Sequence, residues 1–391
     1  MGVPPPSFTL GVEEEFQLID PETRELRSRI QQLLAGATEA RHPERMKTEL
    51  HQSIVEIATG ICRDIGEVRR DVTEGRAQII DLAGRDGLWV GAAGTHPFSH
   101  WRDQLITPDE RYGKIVTELQ EVGRANVVFG LHVHVGIEDR ELAIQIMNDA
   151  RYFLPHLLAL STNSPFWVGR NTGFKSFRTR VFGRFPRTDI PELFETAADF
   201  DEYVRVLVKT GSIEDGRMIW WDLRPHPVFS TIEFRVCDVP MRADETIALA
   251  ALVQAICVKL YRLRSMNLGW RRYRRALIAE NKWRATRFGI QGKLIDFGKE
   301  EEVPFGDLAT ELLEFVDDVV DDLQSRHEVE SIRWILENGS GADRQLRVWR
   351  ENNGDLKQVV DFICRETAHG LPVEALSPGS VGHPGATADG R

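Results

Sequence analysis

The sequence predicts an α+β protein in which one sheet carries the functional groups and helices make up the C-terminal part. Three stretches alternate apolar and polar residues, which is the pattern of strands with one buried face: Thr9–Leu18, Gly130–Ile137 and Thr231–Val236. The polar sides of these strands carry glutamate, histidine and arginine. From Phe305 onward, apolar residues recur at helical spacing instead, so that region is predicted to be all-helical.

The first predicted strand presents two neighbouring carboxylates. Its polar side carries Glu13 and Glu15, whereas its apolar side consists of Leu10, Val12, Phe16 and Leu18. Like charges this close repel each other unless a cation lies between them, and carboxylate oxygens are ligands that Mg²⁺ prefers. The strand therefore indicates a divalent-cation site, with a solvated acidic edge strand as the alternative. Glu14 falls on the apolar side, which a bulge or an arginine partner would resolve.

Two further glutamates flank the segment Leu50–Val55. Glu49 and Glu56 are seven residues apart, so they would face opposite ways on one regular strand. A bulge or a turn near Gln52–Ser53 is needed if both serve the same site. Together with the other strands, this segment predicts one sheet whose concave side is functional.

The later strands add histidine and arginine to the predicted site. His132 and His134 share the polar face of one strand, and Glu233 and Arg235 share that of the other. Three interpretations of His132 stay open: a metal ligand, a donor to phosphate, or a histidine hydrogen-bonded within the sheet. Arg235 would stabilise the charge on a phosphoryl group during its transfer.

Residues 161–191 are predicted to form a long loop, of the kind that often binds ligands or closes over an active site. Its basic residues stand among aromatic ones and suit phosphate or carboxylate groups; they include Arg170, Lys175 and Arg178. The alternative is a solvated basic loop. We expect Gly169–Pro186 to close over the substrates.

Helices are predicted where a capping residue precedes an apolar stripe, namely after Asp64, Thr107, Asp139 and Asp244. The stretch Arg262–Arg287 is dense in arginine and interleaved with aromatic residues. It suits a solvated helix or the wall of a pocket for anions better than a nucleic-acid surface, because the whole chain is acidic.

The chain has 391 residues and a formal net charge of −11. We predict a single catalytic domain over residues 1–376, sheet-rich at 7–240 and helical at 241–376, followed by a disordered tail at 377–391. The acidic balance argues against a general nucleic-acid binder. Because no apolar run approaches the roughly 20 residues of a membrane span and no signal-peptide features occur, the predicted location is the cytoplasm.

Several common catalytic motifs are absent from the sequence: a Walker P-loop, a nucleophile elbow, a zincin helix and a Rossmann glycine fingerprint. A site with many carboxylates, histidines, arginines and no evident nucleophile suits metal-assisted phosphoryl transfer. That chemistry needs positioning and charge neutralisation more than covalent catalysis. Mg²⁺ ions would neutralise a polyphosphate in such a site.

Five motifs occur in order over residues 7–370, namely Gly11–Phe16, Glu49–Glu56, Gly130–Gly136, Trp220–Pro227 and Glu233–Asp238. They resemble motifs of the glutamate–cysteine ligase type 2, or carboxylate–amine ligase, family of the glutamine synthetase-like superfamily. The resemblance implies a curved antiparallel sheet that forms a bowl-shaped active site with helices on the outside, as in the catalytic domains of glutamine synthetase and the guanido kinases. It also implies ATP-dependent ligation through an acyl phosphate, with Mg²⁺ ions in the bowl.

The resemblance implies roles for individual residues. The family's metal ligands are matched by Glu13, Glu15, Glu49, Glu56 and Glu233. His132 matches the histidine near the nucleotide phosphates and metal, and Arg235 matches the arginine that contacts the transferred phosphoryl group, so these two are the predicted catalytic residues. The predicted contacts to the nucleotide are His134, Arg170, Lys175 and Arg178.

The implied reaction joins an amino-acid carboxylate, with the glutamate γ-carboxylate as the first choice, to an amine such as that of cysteine. The resemblance alone does not select these substrates. The expected partners are small molecules rather than nucleic acid or membranes, with a homodimer as one expectation for the oligomeric state. Two alternatives stay open: a metal-dependent phosphohydrolase or kinase on the same ligands, and a non-catalytic nucleotide-binding protein.

Overall fold

The structure is a computed structural model that describes residues 5–36 and 42–371. The tail predicted at residues 377–391 lies outside the described residues. Eleven strands occur among the described residues: β1 Leu10–Ile19, β2 Met46–Thr48, β3 Ile54–Ala58, β4 Trp89–Gly91, β5 Gly130–Gly136, β6 Phe166–Trp167, β7 Arg170–Asn171, β8 Leu223–Pro225, β9 Thr231–Asp238, β10 Lys293–Asp296 and β11 Glu301–Pro304.

Seven of these strands form one antiparallel sheet. Its main path is β2–β3–β1–β5–β9–β8, and β4 pairs with the end of β1. The pairs β6–β7 and β10–β11 are separate small hairpins. The sheet confirms the predicted fold class, because it is antiparallel and helices cover the side opposite its polar groups.

Fifteen α-helices lie in the described part of the chain, seven of them after residue 240. They are α1 Ile30–Gly36, α2 Ile65–Arg85, α3 Glu110–Leu119, α4 Glu121–Arg124, α5 Arg140–Ala150, α6 Leu154–Ser161, α7 Arg178–Phe182, α8 Ala197–Lys209, α9 Ala243–Ser265, α10 Arg275–Phe288, α11 Phe305–Val320, α12 Arg326–Glu330, α13 Ile332–Asn338, α14 Gly341–Glu351 and α15 Leu356–Thr367.

Helix α9 is the core helix of the protein. It packs against α2, α5, α11 and α12 and against strands β1 and β5. By length and composition it would suit a membrane span, but 78% of its most apolar 18-residue stretch is buried inside the protein. One hydrophobic core extends along the chain from Phe8 to Leu371, so the sheet and the C-terminal helices share it.

Glu14 is buried between the sheet and the helices and paired with an arginine, which explains its place among the apolar residues. Arg76 of α2 donates from Nε to Glu14 Oε2 at 3.1 Å and from Nη2 to Oε1 at 2.5 Å. Thr246 of α9 donates to the same carboxylate at 2.6 Å. This network joins β1 to α2 and α9, and it leaves Glu13 and Glu15 on the opposite face.

The segment that contains Glu49 and Glu56 is a hairpin, which confirms the predicted turn at Gln52–Ser53. Strand β2 ends just before Glu49, and β3 begins just after the turn. The two strands pair antiparallel, with Lys47 opposite Glu56. Because the chain reverses, both glutamates reach the same side of the sheet.

Two predicted helix starts are shifted by the caps that the structure shows. Helix α3 is capped by Asp109 rather than by Thr107, because the Asp109 carboxylate accepts a backbone N–H of the first turn. Helix α9 begins one residue before Asp244, which therefore lies inside the first turn. Helices α2 and α5 begin directly after Asp64 and Asp139, as predicted.

The segment predicted as a long loop is partly regular and firmly anchored. It contains β6, β7 and α7. Ser176 donates to the buried Asp238 at 2.8 Å, and Lys175 forms an ion pair with Asp343. These contacts argue against Gly169–Pro186 moving as one lid, since closure of the whole segment would break them.

The basic stretch Arg262–Arg287 is largely paired with carboxylates of the same protein. Arg264 and Arg272 bind the buried Asp149 at 3.0 and 2.9 Å. Lys282 is held by two carboxylates at 2.6 and 2.7 Å. These ion pairs account for much of the basic charge without a nucleic-acid partner.

Replacing Arg76 with methionine should lower the free energy of unfolding by about 3–5 kcal/mol, because Glu14 would stay buried without its partner. Arg85→Met on the same helix is the matched control. Arg85 is half exposed, and its ion pair with Asp81 should contribute about 0–1 kcal/mol. Equilibrium unfolding in urea measures both variants, and equal losses would contradict a structural role for the Glu14–Arg76 pair.

Candidate active site

The polar face of the sheet lines a cavity of about 450 Å³, called the central cavity below. The predicted catalytic residues His132 and Arg235 line it. Helix α3, the start of α7 and the segment after α8 complete its walls. All the predicted metal-binding glutamates line it as well: Glu13, Glu15, Glu49, Glu56 and Glu233.

The strand register explains why these side chains meet. Residues paired across neighbouring strands point to the same face of a sheet. The polar residues therefore form a row of carboxylate and imidazole groups across β3, β1, β5 and β9. The register pairs are Glu15 with Glu56, Glu13 with His132, and His134 with Glu233.

Glu15, Glu49 and Glu56 form the first group that could hold a cation, with one oxygen of each within 4.8 Å of the others. Burial, with added repulsion from Glu56, raises the pKa of Glu15 to about 7. Burial and the charge of Glu15 raise the pKa of Glu49 to about 7. Burial, with Glu13 and Glu49, raises the pKa of Glu56 well above its usual value. This group is short of positive charge, which a divalent cation would supply.

Glu13, His134 and Glu233 form the second group, again with ligand atoms within 4.8 Å of one another. His134 shares a hydrogen bond between Nδ1 and the Thr231 hydroxyl at 3.1 Å. Its buried Nε2 has no hydrogen-bond partner among the described residues, and it lies 3.8 Å from Glu13 Oε2. An imidazole nitrogen beside two carboxylates suits a metal ligand whose orientation is fixed through the other ring nitrogen.

His132 lies beside the carboxylates of this second group. Its Nδ1 is 3.2 Å from Glu13 Oε2 and 4.0 Å from Glu233 Oε1. Burial and the charge of Arg235 lower the pKa of His132 to about 4, so the ring is neutral near pH 7. Although burial opposes it, the hydrogen bond with His132 and the nearby ring of His134 lower the pKa of Glu13 well below its usual value.

The ammonium group of Lys47 joins the two groups. Its Nζ lies 3.0 Å from Glu56 Oε1 and 3.6 Å from Glu13 Oε1. One carboxylate of each group therefore already lies beside the same positive charge. Carboxylate oxygens with one or two imidazole nitrogens match a hard divalent cation such as Mg²⁺, so the residues present fit this ion.

Two arginines hold Glu233. Arg224 of β8 donates from Nε to Glu233 Oε2 at 2.7 Å, and Arg235 forms an ion pair with Oε1 of the same carboxylate. Although burial opposes it, the charges of Arg235 and Arg224 lower the pKa of Glu233 far below its usual value. The β5–β9 register shifts by one residue beside Arg235, and such bulges often redirect a side chain at an active site.

Arg178, at the start of α7, is a third buried arginine of the central cavity. It is 3% exposed and donates to the carbonyl oxygens of Arg235 and Val236 at 3.2 and 3.4 Å. The Nε atoms of Arg178 and Arg235 have no hydrogen-bond partner within the described residues. Both guanidinium groups therefore retain one buried donor that no described residue uses.

Three of the residues predicted to contact a nucleotide lie outside the central cavity. Arg170 is exposed on β7, Lys175 is occupied by its ion pair with Asp343, and His134 lines a neighbouring cavity. Of the predicted set, Arg178 alone lines the central cavity, because α7 turns it towards β9.

Four basic residues that line the central cavity were not predicted from the sequence: Lys47, Arg111, Arg217 and Arg224. Strand parity could have found Lys47, which precedes Glu49 by two residues and so shares its face. Arg224 lies within the Trp220–Pro227 motif, but the motif alone does not predict a role for this residue. Arg111 has no comparable signal, because it reaches the cavity from helix α3.

Two larger cavities adjoin the central one. The first, called the apolar cavity, has a volume of about 750 Å³ and meets the central cavity at Glu13, Lys47 and Phe229. Ile61 and Val228, both largely exposed, add to its apolar wall. The second, called the polar cavity, has a volume of about 670 Å³ and lies between the start of α3 and residues 211–220.

Sequence comparisons identify the family of this chain. Residues 9–362 match the model of Glutamate-cysteine ligase family 2. A Solibacter usitatus protein with the provisional name glutamate–cysteine ligase 2 is 55% identical over 377 residues, which cover 96% of this chain and 98% of the relative. A Roseiflexus castenholzii protein with the same provisional name is 57% identical over 367 residues, covering 94% of this chain and 96% of the relative.

Two solved structures share the fold at low sequence identity. Glutamate–cysteine ligase from Francisella tularensis, solved in complex with AMP, aligns with a TM-score of 0.69 and 13% identity, over 96% of this chain and 92% of its own. A bifunctional glutathione synthetase from Pasteurella multocida aligns with a TM-score of 0.64 and 12% identity, over 92% of this chain and 52% of its own.

The alignments confirm the fold, and the sequence matches define the class: the protein is an enzyme of the carbon–nitrogen ligase class. Within that class, the chain belongs to Glutamate-cysteine ligase family 2, as the sequence motifs predicted.

Binding of Mg²⁺ should strengthen as the pH rises from about 6 to 8, because protonated carboxylates must lose their protons before they bind metal. The pKa values of Glu15 and Glu49, raised to about 7, place their titration in this window. Calorimetry in buffers of different ionisation enthalpy measures both the Kd and the protons released. Glu49→Gln should release fewer protons, whereas Glu121→Gln, at an exposed position outside the cavity, should match the wild type. A Kd independent of pH would contradict the assignment.

Proposed function

We propose that this enzyme is an ATP-dependent carboxylate–amine ligase that uses Mg²⁺ and forms an acyl phosphate. One observation carries the proposal: the carboxylates of two groups that could hold cations line the same cavity as Arg235, and no serine or cysteine is among the described residues that line it. Such a donor set suits phosphoryl transfer, because that reaction depends on charge neutralisation and positioning rather than on a protein nucleophile.

The proposed reaction has two steps. A carboxylate oxygen of the first substrate attacks the γ-phosphorus of ATP, and the bond between that phosphorus and the leaving oxygen of ADP breaks. The amine nitrogen of the second substrate then attacks the acyl carbon, the carbon–oxygen bond to phosphate breaks, and the nitrogen loses a proton to solvent. Bound Mg²⁺ would neutralise the charge of the triphosphate.

The side chains of the cavity have separate tasks in this proposal. Arg235 stabilises the charge that spreads over the oxygens of the transferred phosphoryl group, and Arg178 offers a second guanidinium. His132 orients Glu13 through their hydrogen bond. The two cations would be held by Glu15, Glu49 and Glu56 and by Glu13, His134 and Glu233.

The apolar cavity is the proposed place for the nucleoside. Its lining includes Glu13 and His134 of the second cation group. A nucleotide whose base is bound there would therefore direct its phosphates towards that group. At its border with the central cavity, the rings of His226 and Phe229 stack with centroids 4.5 Å apart, and aromatic faces of this kind suit a purine. The Francisella tularensis ligase solved with AMP supports nucleotide use in this fold.

The names of the relatives support glutamate and cysteine as the substrates. We therefore propose that the glutamate γ-carboxylate is activated and that cysteine supplies the amine. Both are small molecules. The homodimer stays a prediction.

A screen of amino acids against amines tests the function. ADP should appear only when a carboxylate and an amine are both present, and mass spectrometry should detect the amide. ADP release that needs neither substrate would identify a phosphohydrolase, and a stable phosphorylated product would identify a kinase. Absence of turnover in every combination would support a non-catalytic nucleotide-binding protein.

Arg235→Lys should lower kcat by about 10²-fold or more, with little change in Tm or in the Kd of ATP, because lysine cannot contact two phosphoryl oxygens at once. Arg344→Lys is the matched control. Arg344 is also a buried arginine in an ion pair, with Glu245, but it lies in α14 away from the cavity. The control should lower Tm and keep the turnover of folded enzyme, whereas near-normal kcat in Arg235→Lys would exclude a catalytic role.

A further inference from the structure

The polar cavity has no role in the function described so far, and an arginine without an anionic partner stands at its border. We propose that this cavity binds the amine substrate and that Arg111 selects amines that carry a carboxylate, as α-amino acids do. The inference rests on the proposed ligase function, and it assigns the residue that chooses the second substrate.

The polar cavity adjoins the central one. Both are lined by Arg111, Ile115, Arg217 and Trp220, so the two spaces meet between the start of α3 and the segment that follows α8. An amine held in the polar cavity would therefore lie next to an acyl group formed among the carboxylates.

Arg111 differs from the other cations that line the central cavity. It forms neither an ion pair nor a side-chain hydrogen bond to any described residue, and its Cζ lies over the Tyr112 ring at 5.7 Å from the centroid. Its fork of donors is free to bind a carboxylate in two places at once. The other cations are occupied by carboxylates or backbone carbonyls: Lys47, Arg178, Arg217, Arg224 and Arg235.

The residue next to Arg111 contacts the segment that carries the first cation group. The Tyr112 hydroxyl donates to the carbonyl oxygen of Thr48 at 2.9 Å, and Glu49 is the next residue along the chain. Arg111 and Glu49 both line the central cavity. A carboxylate bound to Arg111 would therefore lie close to the reacting groups, and in an α-amino acid the amine nitrogen is attached to the adjacent carbon.

The polar cavity is too large to select amines by shape, so we expect charge to select them. Its volume of about 670 Å³ exceeds that of the central cavity, about 450 Å³, so it cannot discriminate sharply among side chains by fit. Ile115 and Trp220 offer apolar surface, but a difference of one methylene in such surroundings changes affinity only about 10- to 200-fold. A carboxylate bound to a guanidinium is therefore the feature that separates an amino acid from a simple amine.

Pairs of substrates that differ only in the carboxylate test this inference. The probes are cysteine with cysteamine and alanine with ethylamine, each with glutamate, ATP and Mg²⁺. Wild-type enzyme should give a higher kcat/KM for the amino acid of each pair. Arg111→Met should reduce that preference about 10- to 100-fold, as expected for a lost charge-assisted hydrogen bond, because the loss of kcat/KM should be much larger for the amino acid than for the simple amine.

Arg102→Met is the matched control for this experiment. Arg102 is also exposed and lies over an aromatic ring, with its Cζ 4.8 Å from the Trp101 centroid, but it lines neither cavity. This variant should keep the wild-type preference, and Arg111→Lys should recover part of it by restoring the charge. Melting temperatures confirm that each variant is folded.

The possible failures are distinguishable. If wild-type enzyme ligates both members of a pair equally, or if Arg111→Met keeps the wild-type preference, the inference is overturned and the ligase function stands. Equal losses in Arg111→Met and Arg102→Met would also overturn it, because they would indicate a general effect of net charge. If no amine supports ADP release or amide formation in the wild type, the ligase function fails and the inference fails with it.

Discussion

The arrangement of the active site depends on the buried ion pair between Glu14 and Arg76. Successive residues of a strand point to opposite faces, so the partner that holds Glu14 against the helices directs Glu13 and Glu15 into the central cavity. A shift of β1 by one residue would exchange its two faces and bury the residues of the site. Because Arg76 belongs to α2 and Thr246 of α9 binds the same carboxylate, the helical layer sets the register of the strand that supplies two candidate metal ligands.

The negative charge of the carboxylates in the central cavity is balanced in two ways. Around Glu233 the protein supplies its own positive charge from Arg224 and Arg235, which preorganises a guanidinium where phosphoryl charge would develop. Around Glu15 and Glu49 it supplies less, and burial, with repulsion from neighbouring carboxylates, raises the pKa values of both groups to about 7. The carboxylate of Glu233 is thus balanced mainly by the protein's own arginines, whereas Glu15 and Glu49 would be balanced only with a cation from solution. In the proposed function, this division would let a strongly acidic cavity attract metal and still accept a polyphosphate.

The direction of many side chains in this site can be predicted from the sequence, because successive residues of a strand point to opposite faces. This alternation predicts that Glu13 and Glu15 share one face, and bringing Glu49 to the same side requires only a turn. The basic residues of 161–191 could not be sorted in this way, since nothing local distinguishes the buried Arg178 from the exposed Arg170. Residues that reach the site from helices, or that anchor it from behind, depend on long-range packing, which leaves no periodic signal in the sequence.

The two cavities beside the central one differ in chemistry, and this difference matters for an intermediate that water can destroy. An acyl phosphate is useful only if the amine attacks before water does, which favours an amine that is already positioned when the phosphoryl group is transferred. A carboxylate held by Arg111 would place the amine at the border between the polar and central cavities, where it also occupies a path open to water. A nucleotide arriving through the apolar cavity would not compete for that position. The guanidinium that selects the amine would therefore also favour ligation over hydrolysis, so selectivity and yield of amide would depend on the same contact.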